Sequence, residues 1–211
     1  MQIDEIFEAD KRIKKKKRTT PLLNSPFLDE IADRKIFIKA ECLQHTGSFK
    51  FRGAYSAISS IPIEKRKKGV IAYSSGNHAQ GVAFAAKIHK IPATIIMPED
   101  APEIKINNTK DLGAEVILYD RLSENREKIG QKISEERLLS LIPPYDHNDV
   151  IAGQGTIGLE IASQAEQIGI GKADVLVCCG GGGLTSGIAV ALSTLMPDFV
   201  TRPVEPEGFD D

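Results

Sequence analysis

Three turns in the sequence hold residues whose types and spacing suit chemistry. The first is Thr46-Gly47-Ser48-Phe49-Lys50-Phe51-Arg52-Gly53, which puts a lysine where a helix is expected to begin. The positive end of a helix macrodipole disfavours an ammonium there. Burial shifts a lysine pKa in the same downward direction. A lysine made neutral this way suits covalent or general-base work, whereas an isolated helix-entry lysine also reads as surface decoration. The second turn is Ser74-Ser75-Gly76-Asn77-His78, ahead of the alanine-rich stretch 79–88. Small hydroxyls and free N–H groups at a helix start make an anion cradle suited to a carboxylate. Ordinary capping by serine, with His78 a bystander, is the competing reading. The third is Cys178-Cys179-Gly180-Gly181-Gly182-Gly183-Leu184-Thr185-Ser186-Gly187. Four consecutive glycines let a phosphate approach the backbone, with the following helix aimed at it. No Lys-Ser/Thr pair follows, so this is not a Walker A loop.

Those turns need elements to position them. Short β-branched runs at Lys35–Ala40, Val70–Tyr73, Ala93–Met97, Glu115–Tyr119, Leu139–Ile142, Val175–Cys179 and Val200–Val204 read as strands. Helix-like sequence separates most of them. Pro102 and Gly113 frame a helix over about residues 102–112, and Gly169 and Gly171 close another that starts near Thr156. Strands alternating with helices predict an α/β fold with parallel sheets joined by right-handed crossovers. All three turns then fall at the carboxyl ends of strands, where ligands of open α/β sheets gather.

One further motif is a decoy. Gly153-Gln154-Gly155-Thr156-Ile157-Gly158 spells G-x-G-x-x-G, and Asp174 follows at the ~20-residue interval of a ribose-binding acid. A dinucleotide fold needs that acid at the end of its strand, and Asp174 falls at the beginning of one. Tight helix packing or a domain crossover is the better reading. The basic run Lys14-Lys15-Lys16-Lys17-Arg18 before Pro21 reads as a solvated helix end whose cations suit the C-terminal pole.

Composition bounds the function class. The 211 residues are 41% hydrophobic and 27% charged, which is globular, and the net charge of -2 gives no case for nucleic-acid binding. Apolar stretches are too short and interrupted for a membrane span, and the acidic N-terminus lacks the order of a signal peptide. Three cysteines, Cys42, Cys178 and Cys179, form neither a disulfide framework nor a zinc spacing. A reduced, cytoplasmic protein is expected.

Together the motifs at 48–53, 74–78, 151–156 and 180–183 resemble the fold-type II pyridoxal-phosphate enzymes, in the serine/threonine dehydratase and serine racemase branch. The resemblance runs from about Arg18 to Asp211. It implies two open parallel-sheet domains of the tryptophan synthase beta-like kind. A smaller domain, residues 70–145, would be inserted into a larger one made of 1–69 and 146–211, with the C-terminal part of the larger one absent. Lys50 looks like the lysine that binds the cofactor covalently and then moves the Cα proton. Gly180, Gly181, Gly182, Gly183 and Leu184 would hold the phosphate of pyridoxal 5'-phosphate, and Asn77 its phenolic oxygen. Ser74, Ser75, Gly76, Asn77 and His78 would receive the carboxylate of a small amino-acid substrate.

The implied reaction is β-elimination on L-threonine or L-serine, giving a 2-oxo acid and ammonia. Ser75 stands where serine racemases carry a second acid–base, which makes racemisation the alternative. The relatives continue beyond Asp211, so a truncated, inactive remnant is the third reading, and a homodimer is implied for a full-length chain. The segment Val204–Asp211 matches one that binds magnesium or calcium in several relatives. Here Glu205, the Phe209 carbonyl and Asp211 would supply the oxygen ligands, Mg2+ or Ca2+ being hard cations.

Overall fold

The computed structural model describes residues 1–208. Helix α1 (Ile3–Ile13) turns Ile6, Ala9 and Ile13 inward at helical spacing, all three fully buried. Its N-terminus is closed by the Glu5 carboxylate, which accepts from the Gln2 N–H. The basic run that follows is only partly solvated. Lys17 folds back into ion pairs with Asp10 and Glu160 and is 7% exposed, which corrects the reading of this run as wholly surface.

A short antiparallel ribbon comes next, β1 (Leu22–Asn24) with β2 (Phe37–Lys39), joined by helix α2 (Pro26–Ala32). The expected strand at 35–40 is therefore shorter, and its partner at 22–24 carried no alternation by which to find it. Two 3-10 turns then lead into α3 (Lys50–Ser60), followed by the single turn α4 (Ile63–Arg66). Helix α3 is buried on nearly every face from Phe51 to Ile58.

Strand β3 (Val70–Tyr73), helix α5 (Asn77–His89), strand β4 (Ala93–Pro98), helix α6 (Glu103–Asp111), strand β5 (Glu115–Tyr119), helix α7 (Arg126–Arg137) and strand β6 (Ser140–Leu141) alternate as expected. They form one parallel sheet in the order β5-β4-β3-β6. Strand β4 is buried along its whole length, the pattern of a parallel strand covered on both faces. Strand β6 is shorter than expected because Leu138 takes a left-handed conformation and the Leu139 N–H caps the helix by donating to Ser134.

Helix α8 (Asn148–Gln167), strand β7 (Ala173–Cys178), helix α9 (Gly183–Leu195) and strand β8 (Phe199–Val204) complete the described chain. Strands β7 and β8 make a separate parallel pair. Helix α3 stands between the two regions, with α5 on one side and α8 on the other.

The glycine motif lies inside α8, which begins earlier than the expected start near Thr156. A Cβ on Gly153 would stand 2.7 Å from the Arg52 carbonyl oxygen and from the Gly53 Cα, so α3 and α8 cross backbone to backbone. Gly155 faces Gly187 and Gly158 faces Ala191, which seats α9 on the same helix. Asp174 instead pairs with Arg202 across the β7–β8 ladder. The motif is helix packing, as the strand position of Asp174 implied. Overpacking of about 1–3 kcal/mol outweighs the roughly 1 kcal/mol a helix gains from glycine to alanine. Gly153→Ala is thus expected to lower the urea midpoint, whereas Gly171→Ala, with open space around it, leaves it unchanged. Equal midpoints for Gly153→Ala and the parent would contradict the packing argument.

Candidate active site

Lys50 is the first residue of α3. A tight turn delivers it there: Thr46 and Gly47 both have positive φ, and the Lys50 N–H donates to Ser48 Oγ at 3.1 Å. The side chain runs inward. Its Nζ donates to the Pro144 carbonyl oxygen at 2.6 Å, and no ion pair among the described residues neutralises it. Burial lowers its pKa from the ordinary lysine value.

The glycine loop joins β7 to α9 on the other side of the same cavity, about 240 Å³ in volume and lined by Lys50, Pro144, Tyr145, the four glycines, Leu184 and Thr185. Three of the four glycines have a local reason. Gly182 has φ +74°, where side chains are strained. A Cβ on Gly181 would overlap the Tyr145 ring, and one on Gly183 would stand 2.9 Å from the Tyr145 carbonyl oxygen. Gly180 is open to the cavity, with nothing within 4 Å of a Cβ there. Helix α9 has no side-chain cap, and the N–H groups of Gly181 to Thr185 have no partner among the described residues. Thr185 Oγ1 is buried beside them and also unpartnered. Such a set of amides and one hydroxyl at a helix start fits a phosphate.

The Ser74–His78 turn joins β3 to α5. Ser74 Oγ accepts from the Gly76 N–H at 3.2 Å, and the Ser74 N–H prolongs the ladder by donating to Ile96. Ser75 and Asn77 are exposed, with no side-chain hydrogen bond among the described residues. His78 is 2% exposed. Its Nε2 lies 2.9 Å from the Ile142 carbonyl oxygen, which makes Nε2 the protonated nitrogen and leaves Nδ1 a buried, unpartnered acceptor. Burial first, and the Lys50 charge in addition, push the His78 pKa down to about 4, so the ring is neutral at pH 7.

The sequence-derived candidates are thus brought together in part. Lys50 and Gly180 to Leu184 line one cavity. The Ser74–His78 turn is not in its lining; the helix it opens packs on the Lys50 backbone at Gly81, and the Lys50 charge bears on His78. Glu205 is half-buried just beyond β8, while Phe209 and Asp211 lie outside the described residues. Among the described residues no three His, Cys, Asp or Glu side chains form a metal-holding cluster. Thr185, Pro144 and Tyr145 join the site unannounced by any role read from the sequence. Thr185 stood within the quoted glycine run, but no local signal marks residues 144–145.

Residues 13–211 match the family model described as pyridoxal-phosphate dependent enzyme. The chain belongs to that family. Several fold-type II members are similar to it along nearly its whole length. It is 48% identical over 208 residues to L-threo-3-hydroxyaspartate ammonia-lyase of Saccharomyces cerevisiae, covering 98% of this chain and 62% of that protein. It is 47% identical to serine racemase of Schizosaccharomyces pombe, covering 99% of this chain and 63% of the relative. The solved structure of T.th. threonine deaminase superposes with a TM-score of 0.93 at 43% identity, covering all of this chain and 67% of that one. The chain spans a little under two thirds of the length of the curated relatives it matches. The family's pyridoxal phosphate carries an aldehyde and a phosphate. The half-buried lysine, and the amides and Thr185 Oγ1 that have no partner among the described residues, are groups that fit the two ends.

Proposed function

We propose that this chain carries the cofactor site of a pyridoxal-phosphate-dependent ammonia-lyase acting on L-threonine or L-serine. The observation that carries the reading is a half-buried lysine, without an ion-pair partner among the described residues, sharing a cavity with glycine-rich backbone amides that have no partner among them either. In this reading Gly180 to Leu184 and Thr185 hold the phosphate, Lys50 Nζ holds the aldehyde carbon covalently, and Asn77 hydrogen-bonds the ring oxygen. Bound there, the cofactor supplies an electron sink for the pair left on Cα when its proton departs. Lys50, freed once the substrate's amine takes its place, would take that proton, and the desolvation that lowers its pKa favours the neutral form this needs. The Ser74–His78 turn holds the substrate carboxylate. Loss of the 3-hydroxyl and hydrolysis then give a 2-oxo acid and ammonia. The matched relatives named above act, by their names, on 3-hydroxy amino acids.

Ser75 favours a second reading, serine racemisation, because its exposed hydroxyl is bonded to nothing among the described residues. The two are separated by measuring 2-oxo acid and D-serine from L-serine in parallel. Ser75→Ala is expected to abolish D-serine formation and to leave elimination within about threefold, since losing a proton donor on one face costs about 10²-fold or more only in the reaction that uses it. Loss of both activities together would refute a face-specific role. A folded chain that takes up no pyridoxal phosphate would be a non-catalytic remnant, and the proposal would fall.

The same reading extends to organisation. Residues 70–145 form the smaller domain, and 1–69 with 146–211 the larger, supported by the separate sheets and by the position of α3 between them. A cytoplasmic location, and a homodimer for a full-length chain, complete the proposal. Among the described residues no helix is long and apolar enough to cross a membrane.

A further inference from the structure

The Ser74–His78 turn has a neighbour that its own motif does not contain. Strands β3 and β4 are parallel partners, with Tyr73 opposite Ile96, so the helices that follow them start at the same edge of the sheet. Lys105, in the first turn of α6, reaches across to the turn after β3. Its Nζ lies 2.9 Å, its Cδ 3.4 Å and its Cε 3.6 Å from where a Cβ on buried Gly76 would stand. The stem therefore lies along the turn and sets the ammonium over its middle residue. A side chain at position 76 would displace it.

Among the described residues this ammonium has no acid. None of the ion pairs or side-chain hydrogen bonds among the described residues uses Lys105 Nζ, and nearby Asp100 is taken by Arg121. Among the described residues no carboxylate is hydrogen-bonded to the turn either. Helix α5 has no side-chain cap, and the N–H groups of Asn77, His78 and Ala79 have no partner among the described residues. An ammonium and three amides gathered without a negative charge match one carboxylate, through charge-assisted bonds and the helix macrodipole.

We propose that Lys105 is the counter-ion of the substrate's α-carboxylate, a binding residue supplied to the Ser74–His78 turn by the next helix. This rests on the reading of that turn given under the proposed function. Lys105 acts on affinity and touches none of the atoms whose bonds change. Its loss raises KM and leaves kcat nearly untouched.

The test uses the full chain loaded with pyridoxal phosphate, with Lys105→Met and Lys105→Arg as variants. Lys105→Met is expected to raise KM for L-serine and L-threonine about 10- to 100-fold, the range of a lost charge-assisted bond, with kcat within about threefold. Lys105→Arg restores most of the affinity. The inhibition constant of 3-hydroxypropanoate, which keeps the carboxylate and lacks the amine, rises by the same factor, and that of 3-hydroxypropanamide does not move. A general loss of structure would shift acid and amide alike, so parallel shifts overturn the proposal. So does a KM change below threefold. If the parent chain neither takes up cofactor nor turns over, the functional reading fails and a calorimetric titration of the unloaded chain with 3-hydroxypropanoate decides. Heat in the parent that weakens in Lys105→Met supports the counter-ion; no heat, or equal heat in both, overturns it.

Discussion

If the proposed reading holds, Lys50→Ala, loaded with pyridoxal phosphate, is expected to lose ammonia-lyase activity by at least about 10³-fold, because that reading makes one side chain both the covalent holder and the proton acceptor. Borohydride reduction of the loaded parent should leave the cofactor on the peptide containing Lys50 and leave Lys50→Ala unlabelled. Label on another lysine would refute the assignment. The buried side chain adds a prediction of opposite sign. Burial lowers the Lys50 pKa in the folded chain, so between that value and the ordinary one near 10.4 the unfolded chain binds more protons. Stability of the unloaded protein then rises with pH through that window, and at neutral pH a charged Lys50 is a burden on the fold. Lys50→Met removes the burden. It should raise the urea midpoint of the unloaded protein at pH 7 while abolishing turnover. A midpoint that falls would mean that the 2.6 Å bond to Pro144 outweighs the desolvation of the ammonium.

Where the sequence could be read and where it could not follows from how local each signal is. Val70–Tyr73 and Glu115–Tyr119 are strands with the expected ends, and Ala93–Met97 is longer by one residue, Pro98. The first and last of these are β-branched runs that the parallel sheet buries, while the edge strand Glu115–Tyr119 is only partly covered. Lys50 and the four glycines were legible for the same reason: a lysine at a helix entry and a glycine run after a strand are features of adjacent residues. The first half of α8 was not. Gly153, Gly155 and Gly158 lower helix propensity locally, and only the approach of Gly53 and Gly187 from other helices explains them. Long-range placement also hid Tyr145 against Gly181 and Lys105 over Gly76. Lys17 shows the limit most plainly. Its sequence context is a solvated cationic run, yet Glu160 holds it in the interior.

That Glu160 leads to the second large effect. Arg52, 0% exposed, lies two residues after Lys50 and so projects from the opposite side of α3, away from the cavity. Its guanidinium donates to Glu41 at 2.7 and 2.8 Å and to Glu160 at 2.8 and 3.0 Å. Glu160 also takes Lys39 at 2.7 Å, and Lys17 bridges from it to Asp10. Three cations thus meet three carboxylates, and the knot ties α3 to α8, to β2 and to the segment after α1. Burial alone would raise the Glu160 pKa. The hydrogen bonds and charge of Arg52, with Lys17 and Lys39, override it and bring it to about 2.

Glu160→Gln would leave the knot one negative charge short. Breaking a buried pair from one side costs about 3–5 kcal/mol. The expected result is a large fall in the urea midpoint at pH 7. The pH dependence gives the signature. A folded pKa below the unfolded value contributes stability above the unfolded pKa, on the order of 3 kcal/mol here, and loses it as pH falls from about 5 towards 2. The gap between parent and Glu160→Gln should therefore narrow across that acid range. A gap of constant size from pH 7 to pH 3 would show that Glu160 acts through packing rather than charge. Replacing Arg52 and Glu160 together by apolar residues of similar volume should recover part of the loss, because the desolvation of both ions disappears with them. Recovery of stability without recovery of cofactor uptake would assign the knot a second task, holding the first turn of α3 so that Lys50 faces the glycine loop.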